Sequence, residues 1–175
     1  MLVLVVGPSG AGKDTLLDAA KQALAGDPRF HFVRRVITRP ADAGGEAHEA
    51  VTEEEFALRD FALQWQAHGL RYGIPADAVD DDRVVVANVS RTVIGEAVQR
   101  FAARVIEITA PPAVLAARLG ARGRENAADV TERLARTVPL PADVHVETVI
   151  NDSSVAEGVA RFLEALNRAA SHAAG

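Results

Sequence analysis

The chain has 175 residues, 49% of them apolar and 25% charged, with a formal net charge of −5 at pH 7 and no cysteine. That length supports one domain with a sizeable core, and the composition excludes collagen, coiled coil and intrinsic disorder. It also excludes disulfides, cysteine-ligated zinc, thiol nucleophiles and a general nucleic-acid or membrane binder.

Residues 1–6 form a continuous β-favouring apolar run that stops at Gly7 and Pro8, and read as a buried strand. The run is too short for a secretory signal and has no basic flank. No stretch approaches the ~18 apolar residues that span a membrane, and the cytoplasm is the expected compartment. Residues 13–24 read as a helix with Leu16, Leu17, Ala20 and Leu24 on one face and Gly26 as its stop. Residues 31–37 are a second strand. Residues 41–50 lack periodicity and read as a loop. Thr52 and Glu55 make a capping box for a short helix to about residue 59. Residues 61–66 and 70–73 flank His68 and Gly69 as a hairpin.

Residues 83–89 are the strongest interior strand, with Val84, Val85 and Val86 consecutive. A helix over 92–102 and a strand over 104–109 follow. Pro111 and Pro112 open a helix to about residue 119, proline being acceptable in a first turn. Residues 127–136 read as a basic helix, 144–150 as the last strand, 153–168 as the last helix, and 169–175 as a frayed tail. Strands alternate with helices, which predicts an α/β fold with a mainly parallel central sheet. Residues 39–80 fit that alternation poorly and read as an insertion, leaving 1–38 and 81–170 as the core of a single domain.

Gly7, Pro8, Ser9, Gly10, Ala11, Gly12 and Lys13 fill the first seven positions of G-x-x-x-x-G-K-[ST], between a strand and a helix. Glycines let such a loop turn its N–H groups inward onto a phosphate, at a helix N-terminus that adds partial positive charge. Lys13 supplies a mobile point charge for the β- and γ-phosphates. Asp14 occupies the eighth position, where Ser or Thr usually ligates magnesium, and Thr15 follows. A carboxylate is a hard ligand, so Asp14 is either the Mg²⁺ handle or the mark of an unusual acceptor.

Arg118 and Arg122 lie four apart, and Arg133 and Arg136 three apart, so each pair shares a helix face. Arg122, Gly123 and Arg124 interrupt the pattern as a hinge would. Arginines around a phosphate-binding loop stabilise the charge of a transferring phosphoryl group, so residues 118–136 read as a lid. On the acceptor side, Arg39 and Arg91 suit an anionic substrate, Tyr72 could donate a hydrogen bond, and His48 and His68 could bond a sugar or phosphate. The strand over 83–89 carries Asn88, which cannot act as a base. A phosphate acceptor needs none, because its second pKa of ~6 leaves it largely ionised. This favours transfer onto a phosphate over a hydroxyl, with Asp14 and Glu46 left as alternative bases.

Taken together, these residues resemble the guanylate-kinase-like branch of P-loop kinases over roughly residues 2–168. The similarity runs through the loop, through Thr38, Arg39, Pro40, Gly45 and Glu46, through residues 51–56, and through Tyr72 with Gly73. It continues through Arg118 and Arg122 to Asn151 with Asp152, the adenine-side loop of that branch. Against guanylate kinases, Leu63 stands at the acidic guanine-reading position, Ile74 replaces a threonine, His48 a tyrosine and Asn88 an aspartate. The fuller resemblance is to the ribose 1,5-bisphosphate phosphokinases of phosphonate catabolism. It rests on Lys13 with Asp14, on residues 37–40, on Glu46 and His48, on Trp65, Ala67 and Gly69, on Asn88, Ser90 and Arg91, and on residues 122–126.

The resemblance implies transfer of the ATP γ-phosphate to the 1-phosphate of ribose 1,5-bisphosphate, giving 5-phosphoribosyl 1-diphosphate and ADP. It further implies residues 7–15 and Asn151 as the ATP site with Mg²⁺ at Asp14. Lys13, Arg118, Arg122 and Arg133 become the catalytic cations, and Arg39, Glu46, His48, Tyr72, Asn88 and Arg91 the acceptor site. Two readings stand beside it: a nucleotide or small-sugar-acid kinase, and a catalytically silent guanylate-kinase-like binding module.

Overall fold

The computed structural model describes residues 1–8, 10–40, 47–122 and 139–174, with the backbone alone for 119–122 and 174. Five strands form a wholly parallel central sheet. β1 (Leu2–Val6) lies at its centre, and β2 (Phe30–Phe32) at one edge. All five residues of β1 are buried, because a parallel sheet is covered on both faces. Between β1 and β2 runs α1 (Lys13–Ala23), and it starts directly at the glycine loop.

A second, mixed sheet is built from β3 (Val36–Ile37), β4 (Glu49–Ala50), β5 (Phe61–Ala67) and β6 (Leu70–Pro75), in the order β4-β3-β6-β5. The expected strand over 31–37 is therefore two strands in two sheets. Phe30 to Phe32 pair with the central sheet, whereas Val36 and Ile37 pair antiparallel with Gly73 and Tyr72. The capping box forms as expected: the Thr52 hydroxyl accepts from the Glu55 N–H at 3.1 Å and opens α2 (Glu53–Ala57). The hairpin forms too. His68 (φ 54°) and Gly69 (φ 73°) take left-handed conformations that match the strand twist of a two-residue turn.

The chain returns to the central sheet through α3 (Ala76–Val79) and β7 (Val84–Asn88). A single 3₁₀ turn over Arg91–Val93 precedes α4 (Ile94–Arg100). Then come β8 (Ala103–Thr109), α5 (Pro112–Arg122), β9 (Val146–Ile150) and α6 (Val155–Ala174). The central order is β2-β7-β1-β8-β9. The chain leaves β1 towards one edge and crosses from β7 to β8 on the other side of β1. Strand order thus reverses around β1, the place where such sheets leave a ligand crevice at their carboxyl ends. The expected basic helix over 127–136 lies outside the described residues.

The last helix runs on to Ala174, where a frayed tail was expected. Ala169 and Ala170 are buried in the cluster formed by Val3, Val5, Leu16, Ile106 and Phe162, so packing extends the helix. On the opposite face, Leu2, Leu4, Val6, Val85 and Val105 meet α4 through Ile94 and Ala97, and meet the second sheet through Leu63 and Ile74. Phe162 is fully buried. Phe162→Ala should cost about 3–5 kcal/mol, seen as a lower urea midpoint with an unchanged slope.

Candidate active site

The glycine loop sits at the carboxyl end of β1. Gly7 lies so close to β8 that a Cβ there would be 2.2 Å from the Ile108 carbonyl oxygen, which explains why only glycine fits. Gly12 caps α1 with φ 81°, a left-handed conformation that glycine adopts without strain. The outer side of the loop is held by side chains. Asn151 Nδ2 donates to the Ala11 carbonyl at 2.7 Å. Arg118 donates through Nη1 to the Gly10 carbonyl at 2.8 Å and through Nη2 to the Asn151 carbonyl at 3.0 Å. Because a trans peptide directs its C=O and N–H oppositely, pinning the Ala11 carbonyl to Asn151 turns the Gly12 N–H the other way.

Asn151 is itself fixed. Its backbone N–H donates to the Thr109 carbonyl at 2.7 Å, and its amide is wedged between Gly12 and Gly158. A Cβ on Gly158 would lie 2.3 Å from Asn151 Oδ1. Gly158 was absent from the sequence expectations, since its contact is long-range and a helix-interior glycine gives no local signal. Beside this wedge lies a cleft of about 380 Å³ lined by Gly12, Thr15, Arg118, Asn151, Ser153 and Val155. Val155 keeps 57% of its surface exposed there.

Lys13 is half-buried at the start of α1, and Asp14 and Thr15 are exposed in its first turn. Asn88, buried at the end of β7, brings its Nδ2 within 3.5 Å of an Asp14 carboxylate oxygen. Asp14 and Thr15 together offer hard oxygen donors beside a phosphate-binding loop, which fits Mg²⁺. Among the described residues no cluster of three or more His, Cys, Asp or Glu could hold a metal by itself.

The other group lies on the second sheet, on the segments leading into it, and beside the ends of β7 and β8. In the second sheet Leu63 pairs with Ile74, and Trp65 with Tyr72, so these side chains share a face. The Trp65 and Tyr72 rings stack at 5.6 Å, and the Arg35 guanidinium lies 5.2 Å from the Tyr72 ring. His48 is buried, and its Nε2–H donates to the Arg39 carbonyl at 2.9 Å, while its own carbonyl accepts from Arg34 Nη2 at 2.9 Å. The imidazole thereby shapes the segment that carries Arg39. Arg91 forms an ion pair with Glu107 of β8. Glu107, Arg35 and Gly158 are the residues that sequence reasoning missed. Ser9, Glu46 and Arg133 lie outside the described residues, as does the side chain of Arg122.

A glycine loop between a buried parallel strand and a helix, at the strand-order reversal, defines an α/β P-loop kinase fold. Solved structures agree. Guanylate kinase from Anaplasma phagocytophilum aligns with a TM-score of 0.61 at 18% identity, covering 97% of this chain and 85% of that one. A gluconokinase from Sinorhizobium meliloti aligns with a TM-score of 0.53 at 18% identity, covering 97% and 93%. No family model matches the chain.

Among curated proteins, ribose 1,5-bisphosphate phosphokinase PhnN of Acidiphilium cryptum is 52% identical, covering 95% of this chain and 92% of its own. The protein of that name in Agrobacterium fabrum is 46% identical, covering 97% of each. The bifunctional ribose 1,5-bisphosphokinase-thymidine phosphorylase of Azorhizobium caulinodans is 49% identical over 95% of this chain, which spans only 25% of that relative. The chain belongs to the ribose 1,5-bisphosphate phosphokinase family.

The wedge geometry gives a stability prediction. Asn151→Ala leaves the buried Ala11 carbonyl without its donor and should destabilise the fold by about 1–3 kcal/mol, measured by urea denaturation. Gly158→Ala should also destabilise, and by less in the Asn151→Ala background, where the clashing amide is gone.

Proposed function

We propose that the protein transfers the γ-phosphoryl group of ATP to the 1-phosphate of ribose 1,5-bisphosphate, forming 5-phosphoribosyl 1-diphosphate and ADP. The relatives' names support this substrate. The observation that carries the choice among acceptors is the Leu63–Ile74 pair. These two side chains are 1% and 0% exposed, at the positions where the resemblance to guanylate kinases puts the groups that read guanine. Neither can accept or donate a hydrogen bond, so a purine edge would lose its partners there, a loss worth orders of magnitude in selectivity.

In this reading the loop N–H groups and Lys13 hold the β- and γ-phosphates, and Asp14 with Thr15 would hold Mg²⁺. Bound there, the ion would neutralise phosphate charge. The adenine lies in the cleft beside Val155, between Arg118 and Asn151. Arg118 keeps the loop in its binding shape while Arg122 and Arg133 come from the lid, residues 118–136. The second sheet and its connections, residues 39–80, are the acceptor-binding insertion. Arg39, Glu46, Tyr72 and Arg91 hold the bisphosphate, and His48 sets the backbone under Arg39.

An oxygen of the 1-phosphate attacks the γ-phosphorus, the bond to the β–γ bridging oxygen breaks, and ADP leaves with that electron pair. Asn88 is no base, and an acceptor with a second pKa of ~6 brings no proton that must be removed at pH 7. The reading puts the enzyme in the cytoplasm with small-molecule substrates alone. No helix among the described residues is long and apolar enough to cross a membrane.

Coupled detection of ADP, with ³¹P NMR of the product, should find turnover with ribose 1,5-bisphosphate and a new pyrophosphate signal, and far less with GMP. Faster turnover of GMP, or of a hydroxyl acceptor such as gluconate, would sink the assignment. Lys13→Ala should lower kcat by roughly 10²–10³-fold. Lys21→Ala, exposed on the far part of α1, should leave turnover intact in the same assay.

A further inference from the structure

We infer that Glu107 is a positioning residue for the acceptor phosphate, acting by holding Arg91 in place. The inference rests on the proposed reading of Arg91 as an acceptor-binding group. Arg91 begins the 3₁₀ turn three residues beyond β7, and Glu107 is on β8. β1 lies between those two strands, and Val6, its last residue, is in register with Glu107. The ion pair therefore spans the end of β1 at the root of the glycine loop, where Gly7 already abuts the neighbouring Ile108 carbonyl.

Glu107 alternates along β8 with the inward-facing Ile106 and Ile108, so it belongs to the face shared by Val6 and Val105. That is the face against which the second sheet packs through Leu63 and Ile74. The pair thus lies between the loop and the sheet that carries Tyr72. Both side chains are only 22% exposed, which limits the solvent screening of the pair.

A lone carboxylate so near a phosphate-binding loop would repel phosphate, and paired with Arg91 it forms a unit that is neutral and adds no net attraction. What it can supply is orientation. A guanidinium has five N–H donors in a rigid fork, more than one carboxylate can occupy. With Glu107 on one side, the fork is presented at a fixed angle and the rotamer entropy of Arg91 is lost before substrate arrives. Glu107 sits mid-strand and 16 residues from Arg91, so nothing local in the chain marks this role.

The test is a double-mutant cycle on KM for the acceptor, KM for ATP and kcat. Glu107→Ala and the isosteric Glu107→Gln should each raise the acceptor KM about tenfold and leave the ATP KM nearly unchanged, with Glu107→Asp partly restoring it. In an Arg91→Ala background, removing Glu107 should have no further effect on the acceptor KM. An equal effect in both backgrounds, an equal rise in the ATP KM, or a fall in the acceptor KM would each overturn the inference. The wild-type assay separates this from failure of the proposed function. If another phosphorylated acceptor is preferred, that function fails while the same cycle, run with that acceptor, still decides the role of Glu107. If no phosphorylated acceptor is turned over, both fail.

Discussion

A loop that grips an anion with backbone N–H groups must turn carbonyls outward, and each outward carbonyl needs a donor of its own. The arrangement around residues 7–13 follows from that requirement. Asn151 satisfies Ala11, and Arg118 satisfies Gly10. Both side chains arrive from the half of the sheet beyond β1. Asn151 follows β9 and is tied to the end of β8 through the Thr109 carbonyl, and Arg118 projects from α5. The strand order β1-β8-β9 and the docking of α6 are what bring these donors to the loop. Gly158 is part of the same constraint, because any side chain on that turn of α6 would push the Asn151 amide out of its slot. The central sheet thus shapes the donor side twice, once by ending β1 at Gly7 and once by aiming β9 at Asn151.

The acceptor side is shaped by a different force. There the second sheet lies against the core through an apolar seam of Leu63, Ile74, Val33 and Val93. That seam fixes the sheet, and beside it stand Tyr72 on β6 and Arg35 just before β3. The Leu63–Ile74 pair is part of that packing, and in the proposed reading it also leaves a purine edge without hydrogen-bond partners.

Much of this was legible in the chain. Four of the five core strands carry β-branched runs, the capping box is a local contact three residues long, and the hairpin turn needs only two left-handed residues. What was illegible depended on partners distant in sequence. Residues 31–37 read as one strand because nothing local says that Phe32 and Val36 belong to different sheets. The helix over 155–174 was cut short because alanine carries so weak a periodic signal that Ala169 and Ala170 gave no hint of burial. In the site, the loop was legible from spacing alone, whereas Asn151 came only through family resemblance. Gly158 and Glu107 came through neither, since each works on a residue that the fold delivers from elsewhere.

The chain has 17 arginines and two lysines, and that excess divides along the same line. Arg29 and Arg83 each hold the aspartate two residues before them, and in both cases the arginine draws the carboxyl below its usual range. Arg59 does the same to Glu49, while Arg161 and Arg168 pair with Asp152 and Glu147. Exposed pairs of this kind add little to stability because water and salt screen them, so much of the arginine excess is spent on the surface. Arg91 and Arg118 differ in where they stand. Each is at least partly buried and each spans two elements, Arg91 reaching from the turn after β7 to β8 and Arg118 from α5 to the loop and the residue after β9. A planar fork with fixed donors can bridge two acceptors at once, which an ammonium on a flexible stem does poorly. In the proposed reading position 13 asks for the opposite property, a single compact charge able to follow a phosphate as it moves. The chain therefore keeps lysine at the one place in the site where mobility is useful and arginine where rigidity is.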